Sequence, residues 1–462
     1  MLTVLTPSQM AAVDASAAEP VEVLVGRAAG AVARAAVDLM GGTYGRRVVV
    51  VAGPGHNGED GRVAAALLAR RGVRVTVHDV ADAPAVLGPA DLVIDAAFGT
   101  GFRGNYRFPD VDGAPVLAVD IPSGISGRTG AVSGAPAPAV RTVTFAALKP
   151  GLVLGAGPAY AGEVVVADIG LDVRDPAVVG AAGCHLVTDD DVLAWVPARA
   201  DDDHKWRHAV WVIAGSPGMT GAAQLCSTAA LRAGAGYVRL TVPGVEDPPA
   251  PIEAVVLGAR TDDWDRLLST DTSRFGCVAI GPGLGRDAGT AARVRAALAA
   301  TDRPVVLDGD GLAAIADAPT SALHSRPVVG DVPAPTVLTP HDGEFEMLTG
   351  APPGEDRVDA ARALAATTGA VVLLKGPTTV VAEPDGDVLL VRSGDERLAT
   401  AGTGDVLTGT IAALIASGAS PARAAAAGAH LHGRAAELGQ RRGLVASDVA
   451  DALPDAWADL LG

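Results

Sequence analysis

Residues 48–72, VVVVAGPGHNGEDGRVAAALLARRG, decide the fold class. The four valines predict a buried strand, a glycine-rich turn follows over 53–60, and the alanine-rich segment 61–71 has the composition of a helix. A strand, a tight turn and a helix in this order form the first half of a βαβ unit. The turn does not match the dinucleotide fingerprint GxGxxG, which has an acidic residue about twenty positions on. Its backbone N–H groups are suited to a ligand anion, and a purely structural turn is the alternative.

The same alternation of β-branched runs and alanine-rich stretches continues along the rest of the chain. In the first part, the sequence predicts a helix over 20–39 and further strands at 73–78, 92–95, 116–120, 140–145 and 164–167. After a new apolar run that begins at residue 209, it predicts strands at 237–242, 277–280, 305–308, 336–338 and 371–375, a hairpin across 380–391, and helices over 405–417 and 422–438. This alternation is typical of an α/β protein with parallel sheets covered by helices.

The regularity stops between residues 170 and 195, where VRDPAVVGAAG interrupts it. Neither half repeats the motifs of the other. We therefore expect a fusion of two different α/β domains, one over residues 1–178 and one over 190–462.

The charge balance excludes several classes of partner. The chain has 462 residues, with 36 lysine and arginine residues against 53 aspartate and glutamate residues, a net charge of −17. Such a surface repels the phosphates of nucleic acids and anionic lipids, so we expect no nucleic acid and no membrane as partner. The three cysteines, Cys184, Cys226 and Cys277, form no CxxC pair and predict small buried side chains in a reducing compartment. The N-terminus lacks the pattern of a signal peptide, so we expect a cytoplasmic enzyme.

Polar residues follow two further strands of the first domain. Asp95 ends the strand LVID and is followed by a second glycine-rich loop, and Asp120 ends LAVD ahead of Pro122, Ser123 and Gly124. Ligands of open α/β sheets bind at the carboxyl ends of the strands. A helix cap is the alternative for any one of these aspartates, but three polar strand ends in one short domain favour a binding site.

These motifs resemble the NAD(P)HX epimerase domain of the bifunctional NAD(P)H-hydrate repair enzyme family, with a Rossmann-like three-layer fold, over residues 1 to about 175. The shared motifs are the turn GPGxNGxDG, VIDAxFGTGxRG, VDIPSG and TFxxLKPG at 144–151. The resemblance implies that a potassium ion is held by Asn57, Asp95 and Ser123, and that Asp120 binds substrate near the reacting centre as a candidate general base. It also implies that the hydrated dinucleotide is held by His56, Asn57, Gly58, Glu59, Asp60, Gly99, Thr100, Gly101, Phe102, Arg103, Gly104, Asn105 and Asp120.

In the second domain, the segment AGTGD at 401–405 leads into an apolar helix. Such a turn leaves the first N–H groups of the helix free for a phosphate, with the helix dipole behind them. Asp405 then stands where a carboxylate can take a proton from a hydroxyl, although an N-cap is the alternative. His341 follows one predicted strand, and Lys375 ends another and is expected to point at phosphate. No Walker lysine motif, zinc spacing or kinase HRD sequence is present.

These motifs resemble the NAD(P)HX dehydratase domain of the same family, a ribokinase-like α/β domain, over about 190–462. The resemblance implies that Gly283, His341 and Asp405 contact the hydrated dinucleotide. It implies that the adenine nucleotide is held by Lys375, Gly376, Pro377, Thr378, Thr379, Thr400, Ala401, Gly402, Thr403 and Gly404. The implied ligands are NAD(P)HX and ADP, with a magnesium ion on the ADP, and Asp405 and Asp120 are the candidate catalytic residues. We also expect a homo-oligomer.

Two departures from the family pattern stand out. The turn usually reads GNNGGDG, and His56 and Glu59 here replace an asparagine and a glycine. The carboxylate of Glu59 is expected to weaken substrate binding in the epimerase. Trp206 replaces the glycine of an HKG motif, which is a minor change. Two other functions stay open at this point: a ribokinase-like kinase for a small alcohol, and an N-terminal domain that binds a dinucleotide without catalysis.

Overall fold

The computed structural model describes residues 1–270, 272–316 and 336–462, together with the backbone of 328–329 and 332–333. The chain divides into two compact units, Leu2–Gly183 and Cys184–Gly462. The α/β class predicted from the sequence is confirmed in both units.

The first unit contains a parallel sheet that follows the predicted strands closely. The strands of this unit are β1 Leu2–Thr3, β2 Arg47–Ala52, β3 Arg74–Asp79, β4 Leu92–Ala96, β5 Tyr106–Arg107, β6 Val116–Val119, β7 Gly134–Ala135, β8 Arg141–Phe145 and β9 Glu163–Ala167. Its helices are α1 Pro7–Ala15, α2 Val21–Met40, α3 His56–Arg70, α4 Pro150–Val153, α5 Gly157–Ala161 and α6 Pro176–Val179. The main sheet has the order β3-β2-β4-β6-β8-β9, and each neighbouring pair is parallel.

The two faces of this sheet are both covered. Alternate residues of β2, such as Val48 and Val50, pack against α2 and α3. Val49 and Val51 point to the opposite face, where they pack against loop residues that include Leu87 and Phe108. Because both faces are buried, β2 and β4 read as continuous apolar runs.

The second unit contains a larger mixed sheet. The strands of this unit are β10 Cys184–Leu186, β11 Ala209–Ile213, β12 Tyr237–Thr241, β13 Val255–Val256, β14 Cys277–Ile280, β15 Val305–Leu307, β16 Val328–Val329, β17 Val332–Pro333, β18 Thr336–Leu338, β19 Val371–Leu374, β20 Thr379–Ala382 and β21 Val388–Val391. Its helices are α7 Asp189–Trp195, α8 Thr220–Arg232, α9 Ala288–Ala300, α10 Asp310–Ala316, α11 Asp342–Thr349, α12 Arg357–Thr368, α13 Thr403–Ala416, α14 Pro421–Leu438 and α15 Ala446–Leu461. Short 3₁₀ helices lie at Lys205–His208, Trp264–Ser269 and Glu396–Leu398.

The strand order within this unit is β13-β12-β11-β14-β15-β18-β19-β20-β21-β10. The strands from β13 to β19 are parallel, and the predicted hairpin β20–β21 pairs antiparallel at the end of this run. Small residues let the helices of the core pack closely. A Cβ at Gly409 of α13 would lie 2.0 Å from the carbonyl oxygen of Cys226 in α8. The apolar helix α13 is therefore packed closely against α8.

Candidate functional sites

The glycine-rich turn after β2 is packed backbone against backbone. A Cβ at Gly58 would lie 1.9 Å from the carbonyl oxygen of Gly53, and a Cβ at Gly53 would lie 1.8 Å from that of Ala97. Helix α3 begins at His56, five residues before the predicted start, with Gly55 as an N-cap that provides no side-chain hydrogen bond. Residues 56–60 thus form the first turn of the helix, whose N–H groups have no capping side chain.

Asp95 lies fully buried at the end of β4, on the strand next to β2. Its carboxylate accepts hydrogen bonds from the backbone N–H of Ser123 at 2.8 Å, from the Ser123 hydroxyl at 2.6 Å and from the N–H of Ala97 at 3.2 Å. Burial outweighs these bonds and raises the pKa of Asp95 to about 6. The amide of Asn57 is also buried, and neither its oxygen nor its nitrogen has a hydrogen-bond partner within the described structure. Oxygen ligands of this kind fit an alkali cation.

Asp120 ends β6 in a left-handed backbone conformation, with φ at +65°. Its Oδ1 atom contacts the ammonium group of Lys149 at 2.6 Å and accepts a hydrogen bond from the Thr144 hydroxyl at 3.1 Å. Its Oδ2 atom faces the second glycine-rich loop, because a Cβ at Gly99 would lie 3.7 Å from it. The structure thus brings Lys149 and Thr144 to the site, although the sequence analysis assigned neither a role.

Asn57, Asp120 and Lys149 line a cavity of about 540 Å³, whereas Asp95, Ser123 and Thr144 are not part of its wall. Of the residues predicted to bind the hydrated dinucleotide, the cavity wall contains His56, Asn57, Asp60, Gly99, Thr100, Gly101, Phe102 and Asp120. The ring of Phe102 stacks on that of Phe98 with centroids 4.1 Å apart, and both line the wall. The predicted residues that do not line it are Gly58, Glu59, Arg103, Gly104 and Asn105.

Glu59 differs from its expected position. Its half-exposed carboxylate lies 3.6 Å from the ring of His56, outside the cavity wall. The first turn of α3 directs one side of the helix to the cavity and Glu59 to another, because residues 57 and 60 share a face that residue 59 does not. The predicted repulsion between Glu59 and a bound phosphate is therefore weakened by exposure to solvent.

Two further carboxyl groups line the same cavity. Burial raises the pKa of Asp60 to about 8, and the negative charges of Asp120, Glu59 and Asp14 add to this effect. Burial also raises the pKa of Asp14, although the charge of Lys149 opposes the shift. The cavity thus presents one carboxyl group with a raised pKa, Asp60, and another that contacts an ammonium group, Asp120. Such pairs of unlike carboxyl groups are suited to proton transfer.

In the second unit, Asp308 directly follows β15, and its buried carboxylate is held by three side chains. It contacts the ammonium group of Lys375 at 2.7 Å, and it accepts hydrogen bonds from the hydroxyls of Thr339 at 2.7 Å and Thr408 at 2.8 Å. Burial opposes the charge of Lys375, but Asp308 and the other carboxylates nearby outweigh it and raise the pKa of the lysine. This network joins the ends of β15, β18 and β19 to helix α13.

Asp405 lies in the first turn of α13 and is not its cap. The N-cap is Gly402, with φ at +91° and no side-chain hydrogen bond. Burial and the negative charge of Asp308 raise the pKa of Asp405 to about 7, against the opposing charge of Lys375. A carboxyl group with this pKa is suited to take up a proton near neutral pH.

The two segments predicted to bind the adenine nucleotide meet at one point. A Cβ at Gly404 would lie 3.3 Å from the ammonium nitrogen of Lys375. The hydroxyls of Thr403 and Thr400 donate to backbone carbonyls of Leu398 and Arg397 and so stabilise the turn. Lys375 itself points at Asp308. The structure therefore places this lysine beside the turn with its charge already paired.

His341 acts as a helix cap. Its Nδ1 atom accepts hydrogen bonds from the N–H groups of Gly343 at 3.1 Å and Glu344 at 3.2 Å, at the start of α11. The carboxylate of Glu344 accepts one in return from the N–H of His341. The ring remains largely exposed. Gly283, the other predicted contact, has φ at +66°, and its carbonyl accepts a hydrogen bond from Ser216.

Two residues beside this site were missed by the sequence analysis. Arg357 donates to the carbonyl of Lys375 and to Asp342, and its Nε atom is buried without a hydrogen-bond partner in the described part of the chain. Burial lowers the pKa of His432 to about 4, and its ring is hydrogen-bonded to the backbone of Thr403. Neither residue lies in a recognisable motif, so only the tertiary fold identifies them.

The distribution of lysine is unusual. Among the 36 basic residues of the chain, only Lys149, Lys205 and Lys375 are lysines. Two of the three pair with an aspartate at a strand end, one in each unit. The third, Lys205, is exposed and lies over the rings of Trp206 and Tyr237.

Within the described residues, no group of three or more His, Cys, Asp and Glu side chains could hold a metal ion. Asp308, Asp310 and Glu344 each have a protein partner already. In the same described ranges, no helix has the length and apolar character needed to cross a membrane.

Comparisons with known proteins identify the family to which both units are similar. The sequence profile of the NAD(P)H-hydrate dehydratase family matches residues 210–455, and that of the YjeF-related protein N-terminus matches residues 21–88 and 78–151. The bifunctional NAD(P)H-hydrate repair enzyme of Mycobacterium tuberculosis is 42% identical over 417 residues, which cover 84% of this chain and 82% of that protein. The enzyme of the same name from Salinibacter ruber is 36% identical and covers 92% of this chain and 90% of its own.

Among solved structures, the ADP/ATP-dependent NAD(P)H-hydrate dehydratase of Bacillus subtilis, co-crystallised with ATP and Mg²⁺, is 32% identical. It superposes with a TM-score of 0.51 and covers 59% of this chain and 97% of its own. A ribokinase-like superfamily protein from Enterococcus faecalis, 22% identical with a TM-score of 0.51, covers 60% of this chain and 96% of its own and shares the fold.

Proposed function

We propose a division of labour between the two units, on the premise that this chain belongs to the family of bifunctional NAD(P)H-hydrate repair enzymes. The chain repairs hydrated nicotinamide cofactors: it interconverts the R and S forms of NAD(P)HX and dehydrates the S form to NAD(P)H. We assign the first activity to Leu2–Gly183 and the second to Cys184–Gly462. One observation carries this assignment. The profile of the NAD(P)H-hydrate dehydratase family matches residues 210–455, which all lie in the second unit.

In the dehydratase unit, Asp405 is the general base. It takes the proton of the C6 hydroxyl while the hydroxyl oxygen attacks the terminal phosphorus of ADP and AMP leaves. The phosphate ester then breaks at the C6–O bond, phosphate departs with the electron pair, and loss of a C5 proton gives NAD(P)H. The pKa of Asp405, about 7, supports this role because the carboxylate can both accept and release a proton near neutral pH.

The nucleotide occupies the segments Lys375 to Thr379 and Thr400 to Gly404 in this proposal. The uncapped start of α13 supplies N–H groups for its phosphates, and Gly404, whose Cβ position points at Lys375, leaves room for them beside the lysine. Gly283 and His341 contact the hydrated dinucleotide. The exposure of the His341 side chain supports its part, although Nδ1 is occupied in the cap and Nε2 lies 3.6 Å from the Glu344 carboxylate.

We propose ADP as the phosphoryl donor, in a family whose Bacillus subtilis structure is described as ADP/ATP-dependent and holds Mg²⁺. The ion would neutralise phosphate charge during transfer. Asp308, Asp310 and Glu344 have protein partners, which fits an ion held chiefly by the phosphates rather than by a protein cage.

In the epimerase unit, Asp120 moves the proton. Exchange of R and S at C6 requires the hydroxyl to leave as water and water to return to the other face, with one proton delivered and one removed. Asp120 Oδ2 faces the cavity and is suited to remove the proton from the returning water. The raised pKa of Asp60 is consistent with a neutral carboxyl group elsewhere in the wall.

We propose Asn57, Asp95 and Ser123 as potassium ligands. The buried amide of Asn57 without a partner and the buried carboxylate of Asp95 fit such an ion. The cation would neutralise Asp95 and order the turn that binds the pyrophosphate.

An assay with S-NADHX tests the proposed ADP-dependent dehydration. The full chain is incubated with ADP, ATP or neither, and recovery of NADH absorbance and the nucleotide products are followed. We expect NADH to return with ADP, with one AMP formed per NADH. Conversion of ATP to ADP with no return of NADH would favour a ribokinase-like kinase for another alcohol.

A further inference from the structure

We propose that Lys149 is a positioning residue of the epimerase, which fixes the carboxylate of Asp120 so that its Oδ2 atom faces the substrate. This inference rests on the proposed role of Asp120 as the proton-transferring group. It assigns a role to Lys149, which lies in the motif TFxxLKPG but received no role from the sequence.

The ammonium group of Lys149 has a partner for each of its three hydrogens. They point to Oδ1 of Asp120 at 2.6 Å, to the hydroxyl of Thr144 at 2.9 Å and to the carbonyl of Phe145 at 3.0 Å. The Thr144 hydroxyl accepts this bond and donates its own hydrogen to the same Oδ1 atom of Asp120. Lys149 is 2% exposed, so no water competes for these bonds. The network therefore fixes Oδ1 from two directions.

The second oxygen of Asp120 points elsewhere. The Cβ position of Gly99 lies 3.7 Å from Oδ2 and 3.6 Å from the amide carbon of Asn57. Oδ2 thus faces the glycine loop and the turn of α3, which both line the cavity. With Oδ1 held by Lys149 and Thr144, the carboxylate cannot rotate, and Oδ2 is the atom left for the substrate.

The backbone around the pair also indicates a fixed arrangement. Asp120 at the end of β6 and Ala146 at the end of β8 are both in the left-handed region, with φ at +65° and +62°. Such a conformation is unfavourable at a residue other than glycine and persists only where the surroundings impose it. The turn at Ala146 leads the chain back to Lys149, and the turn at Asp120 brings its side chain to meet it.

The choice of lysine is also informative. This chain uses arginine for most of its ion pairs, as at Arg141, whose guanidinium contacts Asp38 and Glu163 near the surface. A planar guanidinium suits such forked contacts, whereas a compact ammonium with three donors suits a closed site with three separate acceptors. Lys149 occupies a site of the second kind.

Other charged groups face this pair from neighbouring elements. Asp14 on α1 lies close enough to feel both Lys149 and Asp120, and Asp60 on α3 feels Asp120. His56 is the other basic residue of the described cavity wall, and its side chain is 82% exposed. Lys149 is thus the buried cation of a wall that otherwise carries carboxyl groups.

The test compares Lys149→Met, Thr144→Val and Thr144→Ser in the full-length chain. R/S exchange of NADPHX is followed without nucleotide, so that only the epimerase acts, and the spontaneous rate is subtracted. We expect Lys149→Met to lower kcat by about 10- to 100-fold with KM changed less than about threefold, as for a misoriented catalytic group. Thr144→Val should lower kcat less, and Thr144→Ser, which keeps the hydroxyl, should restore it.

Asp120→Asn and the double variant Asp120→Asn with Lys149→Met separate the possible failures. A residue that acts only through Asp120 has no further effect once Asp120 is removed, so the double variant should be no slower than Asp120→Asn. Multiplied losses, or a raised KM with normal kcat in Lys149→Met, would overturn the positioning role. Exchange at the normal rate in Asp120→Asn would instead refute the proposed function of Asp120.

Lys205→Met is the matched control, because it makes the same change at an exposed lysine, and it should behave as the parent chain. If Lys149→Met is misfolded, the Thr144→Val and Thr144→Ser pair still decides. Equal kcat in those two variants would contradict the proposal.

Discussion

Asp405→Asn should stabilise the second unit while it abolishes dehydration. In the folded unit, burial and the charge of Asp308 raise the pKa of Asp405 from 3.8 to about 7. Ionising this group in the folded state therefore costs about 4 kcal/mol at pH values above 7, because each pKa unit corresponds to about 1.4 kcal/mol. Asparagine has nearly the same shape and carries no charge, so the substitution removes this cost.

The stability gained by Asp405→Asn should increase with pH. Between pH 4 and pH 7, the folded unit holds a proton on Asp405 that the unfolded chain has released, so this group lowers stability progressively as the pH rises through that window. We expect the gain from Asp405→Asn to be below about 1 kcal/mol at pH 4 and to reach about 4 kcal/mol at pH 8. Dehydration should fall by at least about 100-fold, as for the loss of a positioned base.

Tryptophan fluorescence measures this stability selectively. The five tryptophans of the chain all belong to the second unit: Trp195, Trp206, Trp211, Trp264 and Trp457. Urea unfolding at several pH values, monitored by this signal, gives the free energy of unfolding of that unit. Asp287→Ala is the matched control at a true N-cap, where the side chain accepts from Gly289 and Thr290, and it should cost about 1 kcal/mol.

The helix-cap interpretation of Asp405 makes the opposite prediction. A capping aspartate would lose about 1 kcal/mol of stability on substitution and leave dehydration near normal. Lower stability of Asp405→Asn at pH 8, or unchanged dehydration, would refute the reasoning. Exchange of R and S forms should be unaffected, which confirms that the first unit is intact.

Three further predictions follow from the two sites. Lys375→Met should abolish dehydration and lower the free energy of unfolding of the second unit by about 3–5 kcal/mol, because it leaves the buried Asp308 without its cation. A loss of unfolding free energy below about 1 kcal/mol, measured by tryptophan fluorescence, would contradict the pairing. Replacing potassium by sodium should slow R/S exchange and leave dehydration unchanged. Asp95→Asn should remove this dependence on the ion. Equal exchange rates of the parent chain in the two salts would argue against the cation site. From the sequence, Glu59→Gly is expected to lower the KM of exchange. Because the Glu59 side chain is half-exposed, we expect KM to change by less than about twofold. A larger fall in KM would show that the carboxylate reaches the ligand.

The sequence predicted the frame of both sites because local patterns determine it. Aspartates that end parallel strands lie at one edge of the sheet, so Asp95 and Asp120 could be placed together from sequence alone. Helix boundaries were less accurate. The glycine turn was expected to continue to residue 60, whereas α3 begins at His56, since Gly55 can serve as its cap.

The partners of the aspartates could not be predicted. Lys375 and Asp308 are 67 positions apart, and Thr408 lies 100 positions from Asp308, so only the tertiary fold brings them together. The motif TFxxLKPG contains both Thr144 and Lys149, yet nothing local indicates that they bind Asp120. The direction of Glu59 was also open, because a helix start directs neighbouring residues to different sides.

The most direct test of the account is complete repair of the R form by one chain. Purified R-NADHX is supplied with ADP, potassium and magnesium, and the return of NADH absorbance is compared with the spontaneous rate of epimer exchange. The account predicts conversion of all the R form, faster than spontaneous exchange, with one AMP per NADH, and reduction to the spontaneous rate in Asp120→Asn. Conversion that proceeds only at the spontaneous rate in the parent chain would contradict it and would show that the first unit binds the dinucleotide without catalysis.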